Sequence, residues 1–545
     1  MRNAINTLIL VFFILAATAL YAHAEDKYWF GGDGELGDPA NWVPYGMPTS
    51  LDFVFLTNEP GINATAYVDS GLFGEEIRIY GTGAQTMNLL QSGGSFFAGA
   101  NSFVVESGGT YTMTDGSFIT EQSITIDGGV FNQSGGQAEH WDPLDIRNGG
   151  VYNLSGTGQL RGTHFGEGIW DGKFNQSGGH YWAFGSIPDV KGLYIGEKGI
   201  YNLSGGTLHY DGIINHGIIN FSGGEMVPNG IYEELALTNN GSTNLSSEGT
   251  RTIDGYIVNS GTFKTTLTTA DYTGTFTNNG AYISDTSTQF FNYLTVSETG
   301  YLVGQHSDEF YIYGDIVNHS AKNYEWNTKQ AYLGFLDGED NQHDFYLTGQ
   351  DFGAKRSGYA NNFSWGTLDL TDDVLTLYDG NDDLGAALYL GEILGIEILG
   401  EQIINIFSDD DLNIYYRANL VGNEYLGGKI YALSGAGQLI PIFITIQDII
   451  DFFDESIADA TLEGVGKNPK IANFRLWLLG QMLKAANYFI EKDKMKVACF
   501  IENRSYKRCD DEPRPKDFVQ GESVPGLADM IMELMCVQKC RGCVQ

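Results

Sequence analysis

No cysteine precedes Cys499 in this 545-residue chain, and basic residues are scarce throughout. The 30 Lys and Arg against 68 Asp and Glu leave a formal net charge of −38. Because a phosphate backbone is bound by clustered Lys and Arg, this balance argues against a nucleic-acid partner. Prolines number only 12 and glycines 72. That composition is typical of repetitive β-structure rather than of helical or disordered chains.

Long apolar segments are also rare. One lies near the amino end, "LILVFFILAATAL", between Arg2 and the Ala22-His23-Ala24 triplet, whose small residues suit a signal-peptidase site. Its roughly 13 apolar residues are too few to span a bilayer as a helix, and no later stretch reaches about 20. We therefore predict a signal peptide over residues 1–24 and an exported chain, secreted or at the cell surface, with no membrane span.

What the chain has in abundance is a repeated unit. A glycine recurs at intervals of roughly 21 residues, and each is followed two positions later by a residue that is most often aromatic. A fixed period in this range is the signature of stacked supersecondary units. These anchor glycines are Gly109, Gly129, Gly150, Gly172, Gly199, Gly217, Gly241, Gly261, Gly280 and Gly300, with Ser320 in the same register.

The residues after each anchor alternate in character. The second position forms an aromatic column, which includes Tyr111, Phe131 and Tyr152. The third position is asparagine in six consecutive copies, namely Asn132, Asn153, Asn175, Asn202, Asn220 and Asn244. Because successive side chains of a strand point to opposite faces, we expect the aromatics inside and the asparagines outside.

A unit of this length fits one coil of a parallel β-solenoid, with about three short strands joined by glycine-bearing turns where φ can be positive. The predicted fold class is therefore mainly β, a parallel β-helix followed by a small α-helical domain. After Pro441 the pattern becomes helical, with helices expected in "ITIQDIIDFFDESIADATLEG" and "IANFRLWLLGQMLKAANYFIEKD" and near 494–507 and 525–537. The predicted segments are a signal peptide (1–24), an N-terminal cap with the first coils (25–85), the regular solenoid (86–330), closing β coils (331–441) and a Cys-containing helical domain (442–545).

Each repeated asparagine opens an N-x-S triplet, the acceptor sequence for N-linked glycans. The triplet recurs because the coil recurs. We therefore expect these amides to bond along the stack rather than to carry sugars.

Two stretches carry a resemblance to a known group of proteins. The pattern of Asn41, Trp42, Gly46, Pro48, Asp52 and Val54, together with "YNLSGGTL", resembles bacterial secreted β-solenoid repeat proteins of the autotransporter-passenger-like and PEP-CTERM-associated kinds. The helical tail is similar to FIMAH-like modules appended to secreted bacterial proteins. The resemblance implies an extracellular solenoid, such as an adhesin.

The five cysteines all lie in the predicted helical domain: Cys499, Cys509, Cys536, Cys540 and Cys543. Their spacing allows either disulfides or a zinc site. Disulfides are favoured in an exported protein, and an odd count leaves one thiol free or intermolecular. The acidic stretch Asp379–Asp383 lacks the spacing of an EF-hand loop, so we interpret it as a surface turn. No metal site and no cofactor is predicted.

Four of the nine histidines lie between residues 140 and 209, with tryptophans and acids beside them. Stacking of the coils is expected to gather them on one flank of the solenoid, where aromatic faces beside carboxylates suit sugar rings. The alternative is that these aromatics only cover a corner of the solenoid. The predicted flank consists of His140, Trp141, Asp142, His164, Glu167, His180, Trp182, His209 and Asp211.

The sequence favours a non-enzymatic solenoid that presents a surface for adhesion, extracellular matrix structure or glycan contact. Its partners would be polysaccharide or other cell-surface and matrix components. The alternative is a polysaccharide lyase or hydrolase that uses the same flank, with two carboxylates as acid and base. A lyase needs Lys or Arg beside its acids to neutralise a uronate, and few such residues lie near these acids. This scarcity favours a binding role over a lyase. No catalytic residue is assigned.

Overall fold

The computed structural model describes residues 24–30, 32–59, 61–68, 72–99, 101–162, 166–184, 192–229, 236–338, 340–380, 385–408, 410–510 and 516–540. Most of the predicted signal peptide, together with His164, Cys543 and part of the Asp379–Asp383 turn, lies outside the described residues. No helix in the described part is long and apolar enough to cross a membrane. The chain forms two compact units, residues 1–303 and 304–545.

The first unit is a parallel β-solenoid, as the repeat predicts. One of its sheets holds strands Gly34–Glu35, Ala64–Val68, Leu72–Gly74, Met87–Ala98, Gly109–Thr120, Val130–Gln133, Gln137–His140, Val151–Leu154, Gln159–Gly162, Lys173–Ala183, Ile200–Tyr210, Ile218–Pro228, Ser242–Ser246, Thr262–Thr266, Ala281–Asp285 and Tyr301–Val303. Its other strands are Asp26–Trp29, Trp42–Val43, Phe53–Thr57, Glu76–Tyr80, Phe103–Glu106, Ile124–Asp127, Leu144–Arg147, Glu167–Ile169, Leu193–Ile195, Ile213–Asn215, Leu237–Asn239, Thr250–Ile253, Ile257–Asn259, Thr269–Asn278 and Thr288–Val296. A short 3-10 helix, Pro39–Asn41, lies near the beginning.

Equivalent residues of successive coils pair in register, and the aromatic column is internal as expected. Tyr111 pairs with Phe131, which pairs with Tyr152, and all three side chains are fully buried. Their ring centroids lie 4.6 Å and 4.4 Å apart along the column. Tyr111 meets Phe131 edge to face and Phe131 stacks on Tyr152, so the rings contact one another at about the spacing of neighbouring parallel strands and form part of the core of the solenoid.

The predicted asparagine column lies on the outer face. Asn175 donates its side-chain amide to Asn153 at 2.8 Å, Asn202 donates to Asn175 at 2.7 Å, and Asn220 donates to Asn202 at 2.8 Å. These half-buried side chains form an outer amide ladder, here defined as Asn132, Asn153, Asn175, Asn202, Asn220 and Asn244. Because each amide nitrogen is bonded to a neighbouring coil, a glycan on one of these residues would break the ladder.

The anchor glycines are required by close approach rather than by positive φ. A Cβ on Gly241 would lie 2.2 Å from the carbonyl oxygen of Gly217, and one on Gly261 would lie 2.1 Å from that of Gly241. No real Cβ approaches an oxygen so closely. The regularly spaced anchor glycines therefore mark the positions where the backbone of one coil lies in close contact with the backbone at the corner of the preceding coil.

A second ladder lies inside the solenoid and was not predicted. Asn215, Asn239, Asn259 and Asn278 have no exposed surface, and each donates to the next at 2.7 Å. The last donates to the carbonyl of Tyr301 at 2.9 Å. These four residues, the inner amide ladder, continue an aliphatic column that includes Ile169 and Ile195.

The second unit contains further parallel coils. Its strands are Glu309–Ile312, Ile316–Asn318, Thr328–Phe335, Gln342–Leu347, Trp365–Asp369, Val374–Asp379, Ala387–Leu394, Ile398–Leu399, Gln402–Ser408, Asn413–Arg417, Tyr431–Gly435 and Gln438–Ile442, with a small antiparallel pair Glu463–Gly464 and Val519–Gln520. Short 3-10 helices span Arg356–Tyr359 and Val421–Leu426.

The four predicted helices follow these coils: α1 (Ile446–Ala458), α2 (Pro469–Glu491), α3 (Met495–Tyr506) and α4 (Val524–Val537). The α1 helix begins at a capping box, because the Thr445 side chain accepts from the backbone of Asp448, whose carboxylate accepts from Thr445 in return. Glu533 on α4 forms ion pairs with Arg356 and Arg417 of the closing coils. The helices therefore pack on the last coils of this unit.

The cysteines form disulfides, as favoured from the sequence. Cys499 and Cys540 are bonded to each other, Cys536 is also disulfide-bonded, and Cys509 is a buried free thiol. Ligand atoms of Cys499, Cys540 and Glu502 lie within 4.8 Å of one another. The two sulfurs are joined in the disulfide, however, so they are not thiolate ligands for a metal.

Candidate functional site

The predicted flank is divided between the interior and the surface of the solenoid. His140 and Glu167 have no exposed side-chain surface, whereas His180 is exposed and Trp182 and His209 are half-buried on the outer face. The strands explain the division, because inward and outward positions alternate along each of them. The nine residues therefore do not form one surface.

His140 and Glu167 form a pair in the core. His140 donates from Nδ1 to the carbonyl of Asp142 at 2.7 Å, and its Nε2 lies 3.6 Å from Oε1 of Glu167. The other carboxyl oxygen of Glu167 accepts from the backbone amide of Leu144 at 2.7 Å. Burial lowers the pKa of His140 to about 4 and raises the pKa of Glu167 well above its ordinary value. Burial therefore favours the uncharged form of both groups.

The coils around this pair leave room for it. Glu167 pairs in register with Leu193, so it occupies an inward position that is aliphatic in the next coil. Gly162 pairs with His140, and a Cβ there would lie 1.8 Å from Oε1 of Glu167. The missing side chain of Gly162 therefore provides the space for the Glu167 carboxyl group.

On the outer face, three rings form a stack that we call the ring ladder: His180, Trp182 and His209. The Trp182 and His209 rings lie 5.0 Å apart and are parallel to within 6°, and the His180 ring lies 5.4 Å from that of Trp182. The guanidinium of Arg161 lies over the other face of Trp182, 4.5 Å from the ring centroid. Burial, with the charge of neighbouring His180, lowers the pKa of His209.

This geometry changes what the ring ladder offers a ligand. Both faces of the Trp182 indole are covered, one by Arg161 and the other by His209. A sugar ring therefore cannot lie flat on Trp182. The ladder instead presents ring edges and a guanidinium, which donate hydrogen bonds to oxygen acceptors on a ligand.

The remaining predicted residues lie apart from the ring ladder. Trp141 is 46% exposed and lies with half-buried Asp142 in the turn after strand Gln137–His140. Asp211 accepts a hydrogen bond from the side-chain amide of Asn229 at 3.0 Å and lines a shallow groove with Asp254 and Tyr256. His164 lies outside the described residues.

A second aromatic site lies at another corner and was not among the predicted residues. Trp170 is 48% exposed and donates from Nε1 to Asp145 at 2.9 Å, and its ring centroid lies 4.9 Å from that of Tyr194. The two rings are tilted by 44° rather than stacked. Trp170 lies two positions before the anchor glycine Gly172, and this spacing could have marked it as a corner residue.

Comparison with known proteins finds no matching family model, no matching curated protein and no matching solved structure. The candidate sites are therefore argued from their own geometry.

Proposed function

We propose that this chain is an exported, non-enzymatic β-solenoid that presents an extended surface for adhesion, extracellular matrix structure or glycan contact. The observation that carries the proposal is the division of the predicted flank. Glu167, whose carboxyl group faces the His140 ring, is enclosed in the core, whereas the rings of Trp182 and His209 are at the surface.

Catalysis is less well supported, because a glycosidase needs two carboxyl groups that face the same glycosidic bond. Glu167 is enclosed, Asp171 accepts a hydrogen bond from the backbone amide of Asn148, and Asp211 is bonded to Asn229. Asp171 and Asp211 also follow different strands of their coils. The positions of these acids favour binding over the reaction of a lyase or hydrolase.

An extracellular location agrees with the disulfide between Cys499 and Cys540, since such bonds persist in oxidising compartments. It also agrees with the net charge of −38, which keeps a repetitive chain soluble at a surface. Neither property depends on the candidate binding sites.

The test is co-sedimentation of the purified chain with insoluble polysaccharides, with product release measured in the same tubes. We expect the chain to sediment with at least one polysaccharide and to release neither reducing ends nor unsaturated uronates. Product that increases with protein concentration would establish an enzyme instead. If no polysaccharide sediments the chain, glycan contact is excluded and only a structural role is left.

A further inference from the structure

The corner that carries Trp170 has residues that the coil itself does not require. In a later coil, two residues, Asn240 and Gly241, connect the strands on either side of the equivalent corner. Two coils further along the chain, Asn279 and Gly280 make the same two-residue connection. The Trp170 coil uses three residues at this corner, and the following coil uses four, which include Glu197 and Lys198. Since shorter turns close the same corner elsewhere, packing of the coil does not explain the added side chains.

The indole of Trp170 is held in place by its surroundings. A Cβ on Gly168 would lie 2.6 Å from Nε1 of Trp170 and 3.0 Å from the Asp145 carboxylate, so only glycine leaves room for the indole to reach that acid. The hydrogen bond between Trp170 and Asp145 then fixes the ring against the sheet. The Tyr194 ring contacts the indole at an angle of 44°, and Trp170 is still 48% exposed, so part of the indole surface is accessible to a ligand.

Polar groups of both charges surround this ring. The groove around Trp170 is also lined by Gly196 and by six side chains, those of Arg147, Asn148, Asp171, Tyr194, Glu197 and Lys198. A Cβ on Gly196 would lie 2.7 Å from the carbonyl oxygen of Trp170, so glycine is needed here for the close approach of the two backbones. The lining holds two basic and two acidic side chains, and Asp145 beside the indole and Asp127 beside Arg147 add two more acids, so the corner has no excess of positive charge.

We infer that this corner groove binds a neutral hexopyranose unit of a polysaccharide. The indole packs against the C–H face of the sugar ring, Asp171 and Glu197 accept hydrogen bonds from its hydroxyl groups, and Lys198 donates hydrogen bonds to its hydroxyl oxygens. A uronate or sulfated chain is disfavoured, because the balanced groove leaves no net positive charge and the whole molecule repels polyanions. The inference rests on the proposed glycan contact and assigns it a site and a ligand class.

The test compares Trp170→Ala with Trp477→Ala, since Trp477 is also an exposed tryptophan but lies on helix α2, away from the predicted flank. Each variant and the wild type is titrated calorimetrically with soluble neutral oligosaccharides of glucose, mannose and galactose, and with oligogalacturonate. We expect Trp170→Ala to weaken binding of one neutral oligosaccharide about tenfold or more, as loss of an aromatic anchor that binding buries does, and Trp477→Ala to leave binding unchanged. Lys198→Gln should weaken it by a smaller factor.

The outcomes separate the two proposals. If the wild type binds a neutral oligosaccharide and both Trp170→Ala and Lys198→Gln bind it equally well, the groove is not the site, although glycan contact stands. If only oligogalacturonate binds, the neutral ligand class is wrong. If no sugar binds in solution and no insoluble polysaccharide sediments the chain, the groove assignment and glycan contact both fail, and only the structural role of the proposed function is left. Circular dichroism of each variant establishes that a loss of binding does not come from unfolding.

Discussion

Replacement of Asn239 by alanine tests how strongly the inner amide ladder stabilises the solenoid. Its side-chain nitrogen donates to Asn259 at 2.7 Å and to the carbonyl of Thr262 at 3.0 Å. Its oxygen accepts from Asn215 at 2.7 Å and from the hydroxyl of Thr243 at 3.0 Å. One substitution therefore removes four hydrogen bonds from a site with no exposed surface.

The expected cost follows from the groups left behind. The Asn259 oxygen loses its neighbour in the ladder and the Asn215 amide loses one of its acceptors, and a buried polar group without a partner costs about 1–3 kcal/mol. We expect Asn239→Ala to lower the free energy of unfolding by about 3–5 kcal/mol in total. The matched control is Asn202→Ala in the outer amide ladder. Water can replace its two amide bonds, so about 0.5–1.5 kcal/mol is expected.

The assay is urea unfolding followed by far-ultraviolet circular dichroism, with hydrogen exchange of residues 237–259 as a second measurement. Stacked coils can unfold locally, and the exchange rates detect a loss confined to the neighbours of the substituted coil. An equal or larger loss for Asn202→Ala would refute the argument, because it would mean that burial does not set the cost of breaking these ladders.

Three further predictions concern other buried groups. Glu167→Gln should become more stable relative to the wild type as pH rises from about 5 to 8. The reason is that burial raises the pKa of Glu167 in the folded state, so the wild type loses stability once the pH exceeds the pKa of this group in the unfolded chain. A stability difference between the two proteins that is the same in urea titrations at about pH 5 and pH 8 would contradict this. Joint replacement of Cys499 and Cys540 by alanine should destabilise the helical domain by about 2–4 kcal/mol in thermal unfolding, with Cys509→Ala as the control that leaves this disulfide in place. Glu533→Gln should weaken the packing of α4 on the closing coils by about 1–3 kcal/mol, because it removes the ion pairs with Arg356 and Arg417. Hydrogen exchange of the α4 amides should then become faster. An unchanged exchange rate would mean that these two ion pairs do not hold the helix.

The sequence predicts the aromatic and asparagine columns of the solenoid well, because the alternation of inward and outward side chains along a strand is a local property. The aromatic column beginning at Tyr111 and the outer asparagines follow from spacing alone, and the structure confirms them. The inner ladder also has a signal, since Asn239 and Asn259 each precede an anchor glycine by two positions. That signal was missed because polar side chains are not expected in a core unless their partners are known.

The candidate sites are harder to predict from sequence. Strand Glu167–Ile169 has only three residues, too few to reveal which of them point inward, so the burial of Glu167 appears only from its register with Leu193. The accessible face of Trp170 depends on Gly168 two positions earlier, and the covered faces of Trp182 depend on residues of neighbouring coils. These properties come from three-dimensional neighbours, which spacing along the chain does not specify.

The two amide ladders of the first unit run in opposite senses. Each inner asparagine donates to the following coil, whereas each outer asparagine donates to the preceding one. Hydrogen-bonded amides in a row add their electric moments, so either ladder alone would give the stack a positive and a negative pole. In the coils that both ladders share, between residues 215 and 244, the two rows oppose each other, so their moments subtract there rather than add.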